Sequence, residues 1–146
     1  MTHARRQRVT RARVVVFAAV VGLLAGCVNY PKITDIGGTR IRPEHARLVR
    51  QADGAALYVD LHSTGKFGDV IVGAGAPVAR QARLVDETGA EVKRIEVPGI
   101  AVVALQPGSP HVQLSGLTRP LATGETVVVT LTFEKTGHLG VVSVVE

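Results

Sequence analysis

The chain of 146 residues carries 17 Lys+Arg against 12 Asp+Glu, a formal net charge of +5, with one cysteine and one methionine. A single cysteine excludes an internal disulfide framework and a cysteine-based zinc site. Five of the basic residues precede Cys27, so residues 27–146 carry 12 basic and 12 acidic groups, a balance that argues against a nucleic-acid partner.

The first 27 residues have the organisation of a bacterial export signal. Residues 5–13 contain five arginines, and residues 14–25 (VVVFAAVVGLLA) carry no charge. This apolar run is too short to span a bilayer but suits the hydrophobic region of a signal peptide. It ends in Leu24-Ala25-Gly26-Cys27, which resembles the lipobox, whose cysteine sulfur takes a diacylglycerol. We therefore expect residues 1–26 to be a lipoprotein signal peptide and Cys27 to be lipidated; an ordinary signal peptide and an uncleaved anchor are the alternatives.

Residues 27–39 are expected to be the lipidated cysteine and a tether, because Asn29, Pro31, Gly37 and Gly38 fall within them. Such a tether reaches at most about 40 Å. Residues 40–146 are long enough for one domain with its own core. We expect that domain to face the extracytoplasmic side of the cell membrane or outer membrane, with the membrane as a partner through the lipid.

The domain has the pattern of an all-β fold. The best helix candidate is Pro43–Gln51, although Leu48 and Val49 could equally begin a strand. Apolar alternation then predicts strands punctuated by glycine and proline, which favours a β-sandwich or barrel. The expected strands are ALYVDLHS (56–63), DVIVGAGAP (69–77), EVKRIEV (91–97), IAVVALQ (100–106), PHVQLSG (110–116), ETVVVTLTFEK (125–135) and LGVVSVV (139–145).

Alternation also predicts the core. In residues 56–63, Leu57, Val59 and Leu61 share one face, with Tyr58, Asp60 and His62 on the other. In the last long strand the inward face is expected to hold Val127, Val129, Leu131 and Phe133.

Three segments, GAALYVDLHSTG, DVIVGAGAPVA and GSPHVQLSGLTRPLATGETVVVTLTFEKTG, together resemble the periplasmic copper chaperones known as PCu(A)C. The resemblance extends from Gly54 to Val145. It implies a cupredoxin-like Greek-key β-sandwich or barrel, and a protein that binds Cu(I) and delivers it to cytochrome oxidase assembly.

The ligands that the resemblance implies are largely missing. The family uses a His and Met residues midway along the domain and a later His-x-Met. His111 matches the later His, but Gln113 replaces the Met, and residues 84–87 and 91–97, where the earlier ligands should fall, contain neither type. Because Cu(I) prefers thioether, thiolate and imidazole ligands, we expect copper to be bound weakly or not at all.

Other interpretations of His111 stay open. It could form a weak Cu(II) or zinc site with Asp86 or Glu87, be joined by His62 or His138, or be a partly exposed residue that starts a strand. Catalysis is not expected, because Pro110 separates Ser109 from His111 and no acid is placed to orient the imidazole.

Two functions follow from these patterns. The first is a lipid-anchored, copper-chaperone-like protein of the cell envelope, acting through a protein partner rather than through tight copper binding. The alternative is a lipoprotein interaction module that binds no metal and keeps only the β scaffold.

Overall fold

The computed structural model describes Gly38 and residues 40–146, and their contacts belong to one compact unit that spans residues 35–146. The expected signal peptide, Cys27 and nearly all of the tether lie outside the described residues. In the described range no helix is long and apolar enough to cross a membrane.

The described residues form ten β-strands and no helix, which confirms the prediction of an all-β domain. The strands are β1 (Ile41–Gln51), β2 (Gly54–Ser63), β3 (Asp69–Gly75), β4 (Ala79–Val85), β5 (Glu91–Val92), β6 (Ile95–Val97), β7 (Ala101–Leu105), β8 (His111–Leu117), β9 (Thr126–Phe133) and β10 (Gly137–Val145).

These strands make one sheet in the order β5-β4-β8-β2-β1-β10-β9-β3-β6, curled into a nearly closed barrel, with β7 also paired to β2. The β1–β10 pair is parallel and the other pairs are antiparallel.

Strands β7 and β8 lie one after the other along the same edge of β2. Leu105 of β7 pairs with Val59, and Val112 of β8 pairs with Leu57. Residues 106–110 (QPGSP) leave the sheet between them, since their two prolines have no N–H for a ladder and Gly108 has φ +83°. His111 is therefore the residue at which the chain re-enters the sheet.

The predicted core faces are confirmed. Leu57, Val59 and Leu61 are fully buried, and the inward residues of β9, Val127, Val129, Leu131 and Phe133, are at most 4% exposed. Full burial of each such side chain stabilises the fold by roughly 1.5–3 kcal/mol. Tyr58 lies on the opposite face of β2, yet it is also buried, because neighbouring side chains cover its ring.

The helix candidate Pro43–Gln51 is wrong. These residues belong to β1, which pairs with β2 on one side and with β10 on the other. The pairing is interrupted between Glu44 and Arg47, where His45 has φ 51°, so the supposed helix start is a β-bulge. Long-range pairing overrides a weak local helix signal here.

Two further segments differ from the predicted strands. EVKRIEV is divided into the short strands β5 and β6, with Lys93 and Arg94 between them. Strand β4 was not expected, because its sequence ARQARLV places exposed Arg80, Gln81 and Arg83 among small residues. Its pairing with β8 from Ala79↔Leu117 to Val85↔His111 makes it a strand.

Candidate functional site

His111 is the first residue of β8, half-buried, and lies opposite Val85 of β4. Its Nδ1 is 2.8 Å from the carbonyl oxygen of Ser109. Because a carbonyl oxygen only accepts hydrogen bonds, Nδ1 carries the proton in the neutral ring, and Nε2 keeps its lone pair. The contact is made to the main chain of Ser109, whereas a nucleophile–base pair would use its hydroxyl.

The His111 ring rests against Tyr58, with ring centroids 5.3 Å apart and planes tilted by 51°. The guanidinium carbon of Arg47 lies 5.5 Å from the centroid of the Tyr58 ring. Its Nη2 also donates to Oε1 of Gln106 at 3.2 Å, and the amide of Gln106 donates to Asp60 at 2.9 Å. These contacts join β1, β2 and the 106–110 segment. They therefore stabilise the position at which the chain returns to the sheet at His111.

Gln113 follows His111 on the same face of β8, while Val112 between them faces the core and is fully buried. The Gln113 side chain is exposed, and its Nε2 lies 3.5 Å from Oε1 of Gln51. His111 and Gln113 therefore lie two residues apart on one face of β8, and the second side chain offers an amide.

Asp86 accepts hydrogen bonds from residues of the turn that follows β4. Its Oδ1 accepts hydrogen bonds from the Thr88 hydroxyl at 2.6 Å and from the N–H groups of Thr88 and Ala90, both at 2.9 Å. The bond from the Thr88 hydroxyl is the foremost cause that holds the pKa of Asp86 below its ordinary value. The side chain of Glu87 is exposed. Neither carboxylate has a hydrogen bond or ion pair to His111 in the structure.

The other two histidines considered with His111 have partners elsewhere. Nε2 of His62 is 3.3 Å from a carboxylate oxygen of Glu44, and Nδ1 of His138 is 3.1 Å from the Thr132 hydroxyl. In the part of the chain that the structure describes, no three His, Cys, Asp or Glu side chains form a group that could hold a metal ion.

A groove of about 270 Å³ lies where the earlier copper ligands were expected, between the β5–β6 segment, β7 and the residue before His111. Its lining is mostly apolar, with charged groups among the lining residues. The lining residues are Asp86, Val92, Arg94, Ile95, Glu96, Val103, Ala104, Leu105 and Pro110.

The donor chemistry of this region does not fit a closed Cu(I) site. Cu(I) requires soft ligands, and the positions around His111 supply an amide at Gln113 and aliphatic or carboxylate groups along the groove. His111 is left as a single imidazole donor.

Solved structures share this fold. The copper-bound PCuAC domain from PmoF2 aligns with a TM-score of 0.66 at 24% identity, covering 75% of this chain and 97% of that domain. The Cu(I) form of DR1885 from Deinococcus radiodurans aligns with a TM-score of 0.61 at 26% identity, covering 84% of this chain and 83% of that one. The cupredoxin-like PCuAC fold that the sequence resemblance implied is therefore confirmed.

The sequence comparisons identify the family. A protein of Leifsonia xyli subsp. xyli, named "Putative lipoprotein Lxx21020", is 30% identical over 139 residues, which cover 86% of this chain and 82% of that protein. The family model described as "Putative lipoprotein LpqE-like" matches residues 39–145, which is the whole β domain. The chain belongs to the LpqE-like lipoprotein family, and its domain has the PCuAC fold.

Proposed function

We propose that this protein is a lipid-anchored, extracytoplasmic member of the copper-handling machinery that offers copper one exchangeable imidazole. The other ligands would come from a protein partner while the metal is transferred. The PCuAC fold supports this role, and the names of two solved structures with that fold describe them as bound to copper or Cu(I).

The observation that carries the proposal is the hydrogen bond between Nδ1 of His111 and the carbonyl oxygen of Ser109. This bond sets the tautomer, so that Nε2 is available as a ligand. Because Gln113 supplies no sulfur, a metal on Nε2 keeps open coordination positions. Weak and rapidly exchanging binding is the expected consequence, and it suits transfer rather than storage.

Membrane attachment through Cys27 is the second part of the proposal. The Leu-Ala-Gly-Cys order and the family name both support a lipoprotein. The lipid would keep the domain within reach of partners at the same membrane.

An anaerobic Cu(I) titration followed by NMR of the imidazole groups tests the copper role. We expect the His111 signals to shift or broaden first, in fast exchange, together with those of the neighbouring Tyr58 ring, and the copper response of Tyr58 to vanish in His111→Ala. His62→Ala is the matched control, because His62 is also partly exposed but pairs with Glu44. Equal copper responses of the wild type and His111→Ala would contradict the role of His111.

A module that binds no metal is the second candidate, and the groove of about 270 Å³ favours it. Apolar side chains such as Val92, Val103 and Leu105 line the groove where the PCu(A)C resemblance implies the earlier copper ligands. If copper perturbs no imidazole signal of the wild type, this function is the better account, and the groove becomes the binding surface to investigate.

A further inference from the structure

Two loops meet at one end of the barrel, and we call them the tip loops: residues 64–68, between β2 and β3, and residues 98–100, between β6 and β7. The N–H of Ile100 donates to the carbonyl oxygen of Gly65 at 3.0 Å. A Cβ atom on Gly99 would lie 2.4 Å from the carbonyl oxygen of Lys66, so the two backbones touch. The tip loops therefore form one continuous surface.

The tip loops expose large apolar side chains. Ile100 is 76% exposed and Phe67 is 55% exposed. Ile100 also has φ 51°, a left-handed conformation that is sterically costly for a β-branched residue. Since glycine would fit this position without strain, the presence of an exposed isoleucine here indicates that its side chain has a use outside the domain core.

The chain enters the domain at the same end. The N–H of Thr64 donates to the carbonyl oxygen of Arg40 at 2.9 Å, and a Cβ atom on Gly65 would lie 2.0 Å from the carbonyl oxygen of Gly38. Gly38 is eleven residues beyond Cys27 in the sequence, a contour length of at most about 40 Å. The tip loops are thus the part of the domain next to the segment that leads to the proposed lipid.

The charges at this end would favour an anionic surface. The ammonium of Lys66 lies 5.9 Å from the centroid of the Phe67 ring, and the ammonium of Lys135 donates to the carbonyl oxygen of Gly68 at 2.9 Å. Three acids lie near this end. Asp69 is 2% exposed, and the guanidinium of Arg94 lies 3.4 Å from the carboxylate of Glu134 and 3.5 Å from that of Glu96.

We propose that the tip loops rest on an anionic lipid bilayer, with Phe67 and Ile100 inserted among the headgroups and Lys66 and Lys135 facing lipid phosphates. The proposal rests on the lipid anchor at Cys27 and adds a second, protein-based contact with the same membrane. It also sets the distance of His111 from the membrane. His111 contacts Tyr58, which lies five residues along β2 from Ser63 and so roughly 17 Å from the tip loops.

The chain contains no tryptophan, so a single introduced tryptophan reports its own surroundings. The full chain carrying Phe67→Trp would be extracted in detergent and reconstituted into vesicles of phosphatidylcholine and phosphatidylglycerol, with or without brominated acyl chains. We expect the emission to shift to shorter wavelength and to be quenched by the bromine. The matched control is Val142→Trp, because Val142 is 62% exposed but lies five residues along β10 from Gly137, roughly 17 Å from this end.

A second variant separates membrane contact from folding. Ile100→Gly, added to Phe67→Trp, removes the apolar side chain and the strain at φ 51° together. The quenching should fall while the thermal midpoint stays the same or rises. A purely structural role for Ile100 predicts the opposite, a lower midpoint with unchanged quenching.

Flotation of the same vesicles distinguishes the two proposals. Suppose that the Phe67→Trp and Val142→Trp chains both float, but that Phe67→Trp is quenched no more than Val142→Trp. The proposal that the tip loops rest on the membrane is then refuted while the lipid anchor stands, and the exposed tip side chains would suit a protein partner. Chain that does not float refutes the anchor, and the resting surface falls with it. Quenching that is specific to the Phe67→Trp variant, and stronger with phosphatidylglycerol than with phosphatidylcholine alone, supports both proposals.

Discussion

Thr136 donates two hydrogen bonds to one oxygen of Asp69, from its N–H at 2.7 Å and from its hydroxyl at 2.6 Å. The other oxygen of Asp69 accepts from the N–H groups of Val70 at 2.8 Å and Lys135 at 2.9 Å. One buried carboxylate thereby attaches the β9–β10 turn to the first residue of β3. This turn stands beside the tip loops, so Asp69 also fixes the surface proposed to meet the membrane.

The stability of the domain should depend on pH through Asp69. Burial alone would raise its pKa, but the hydrogen bonds from Thr136, Lys135 and Val70 outweigh burial, and the pKa lies below its ordinary value. A carboxyl group whose pKa is lower in the folded state stabilises that state above the unfolded pKa, near 3.9, and this contribution is lost as pH falls through the folded pKa.

We expect Asp69→Asn to lower the free energy of unfolding at pH 7 by about 1–3 kcal/mol, because the amide NH₂ cannot accept the bonds that Thr136 donates. Below pH 4 the wild type should lose stability more steeply than the variant, so that the two curves converge. Urea unfolding between pH 7 and pH 2.5 measures this. Glu134→Gln, at the exposed neighbouring residue, serves as control; parallel curves for the wild type and Asp69→Asn would contradict the prediction.

Phe133 is the largest side chain on the inward face of β9 and is 2% exposed. Phe133→Ala should therefore lower the free energy of unfolding by about 3–5 kcal/mol, since it removes buried apolar surface and leaves a cavity. Val128→Ala, on the outward face of the same strand where Val128 is 46% exposed, should change it by less than about 0.5 kcal/mol. Chemical unfolding followed by circular dichroism compares the two, and similar losses would argue against the inward and outward faces assigned to β9.

Alternation of apolar residues was enough to predict the inward faces of β2 and β9, because the inward face of each strand meets the same core along its whole length. It could not reveal β4, whose outward arginines and glutamine hide the pattern and whose pairing with β8 is a long-range contact. The position of His111 came from the resemblance and from the proline-rich segment before it. The contact of Arg47 with Gln106 joins residues 59 apart in sequence, so no local signal predicts it.

Membrane attachment should depend on the sulfur of Cys27. Cys27→Ser removes the acyl acceptor that the lipobox resemblance implies, and a hydroxyl does not substitute for a thiol in this chemistry. We expect loss of labelling by a radioactive fatty acid and a lower share of the protein in the membrane fraction. Ser63→Ala, a buried residue of the domain, is a control that should keep full labelling. Labelling that persists in Cys27→Ser would refute the lipobox interpretation.

A stronger Cu(I) site should be obtainable in steps, because His111 lies on a strand of the PCuAC fold beside a position that can carry sulfur. Gln113 is exposed and shares a face of β8 with His111, so Gln113→Met places a thioether two residues from the imidazole without disturbing buried Val112. We expect Cu(I) affinity, measured against a competing chelator, to rise at least about tenfold, which corresponds to about 1.4 kcal/mol.

Gln113→Leu is the matched control for that gain, because leucine resembles methionine in size but lacks sulfur. Adding Glu87→His and Arg94→Met places an imidazole and a thioether in residues 84–87 and 91–97. These are the two stretches where the PCu(A)C resemblance implies the earlier copper ligands, so binding should strengthen again. If Gln113→Met raises the Cu(I) affinity and Gln113→Leu does not, the increase is due to the sulfur ligand. Tight binding of one Cu(I) by the wild type, abolished in His111→Ala, would instead mean that ligands such as His62 or His138 reach His111, against the partners that the structure gives them.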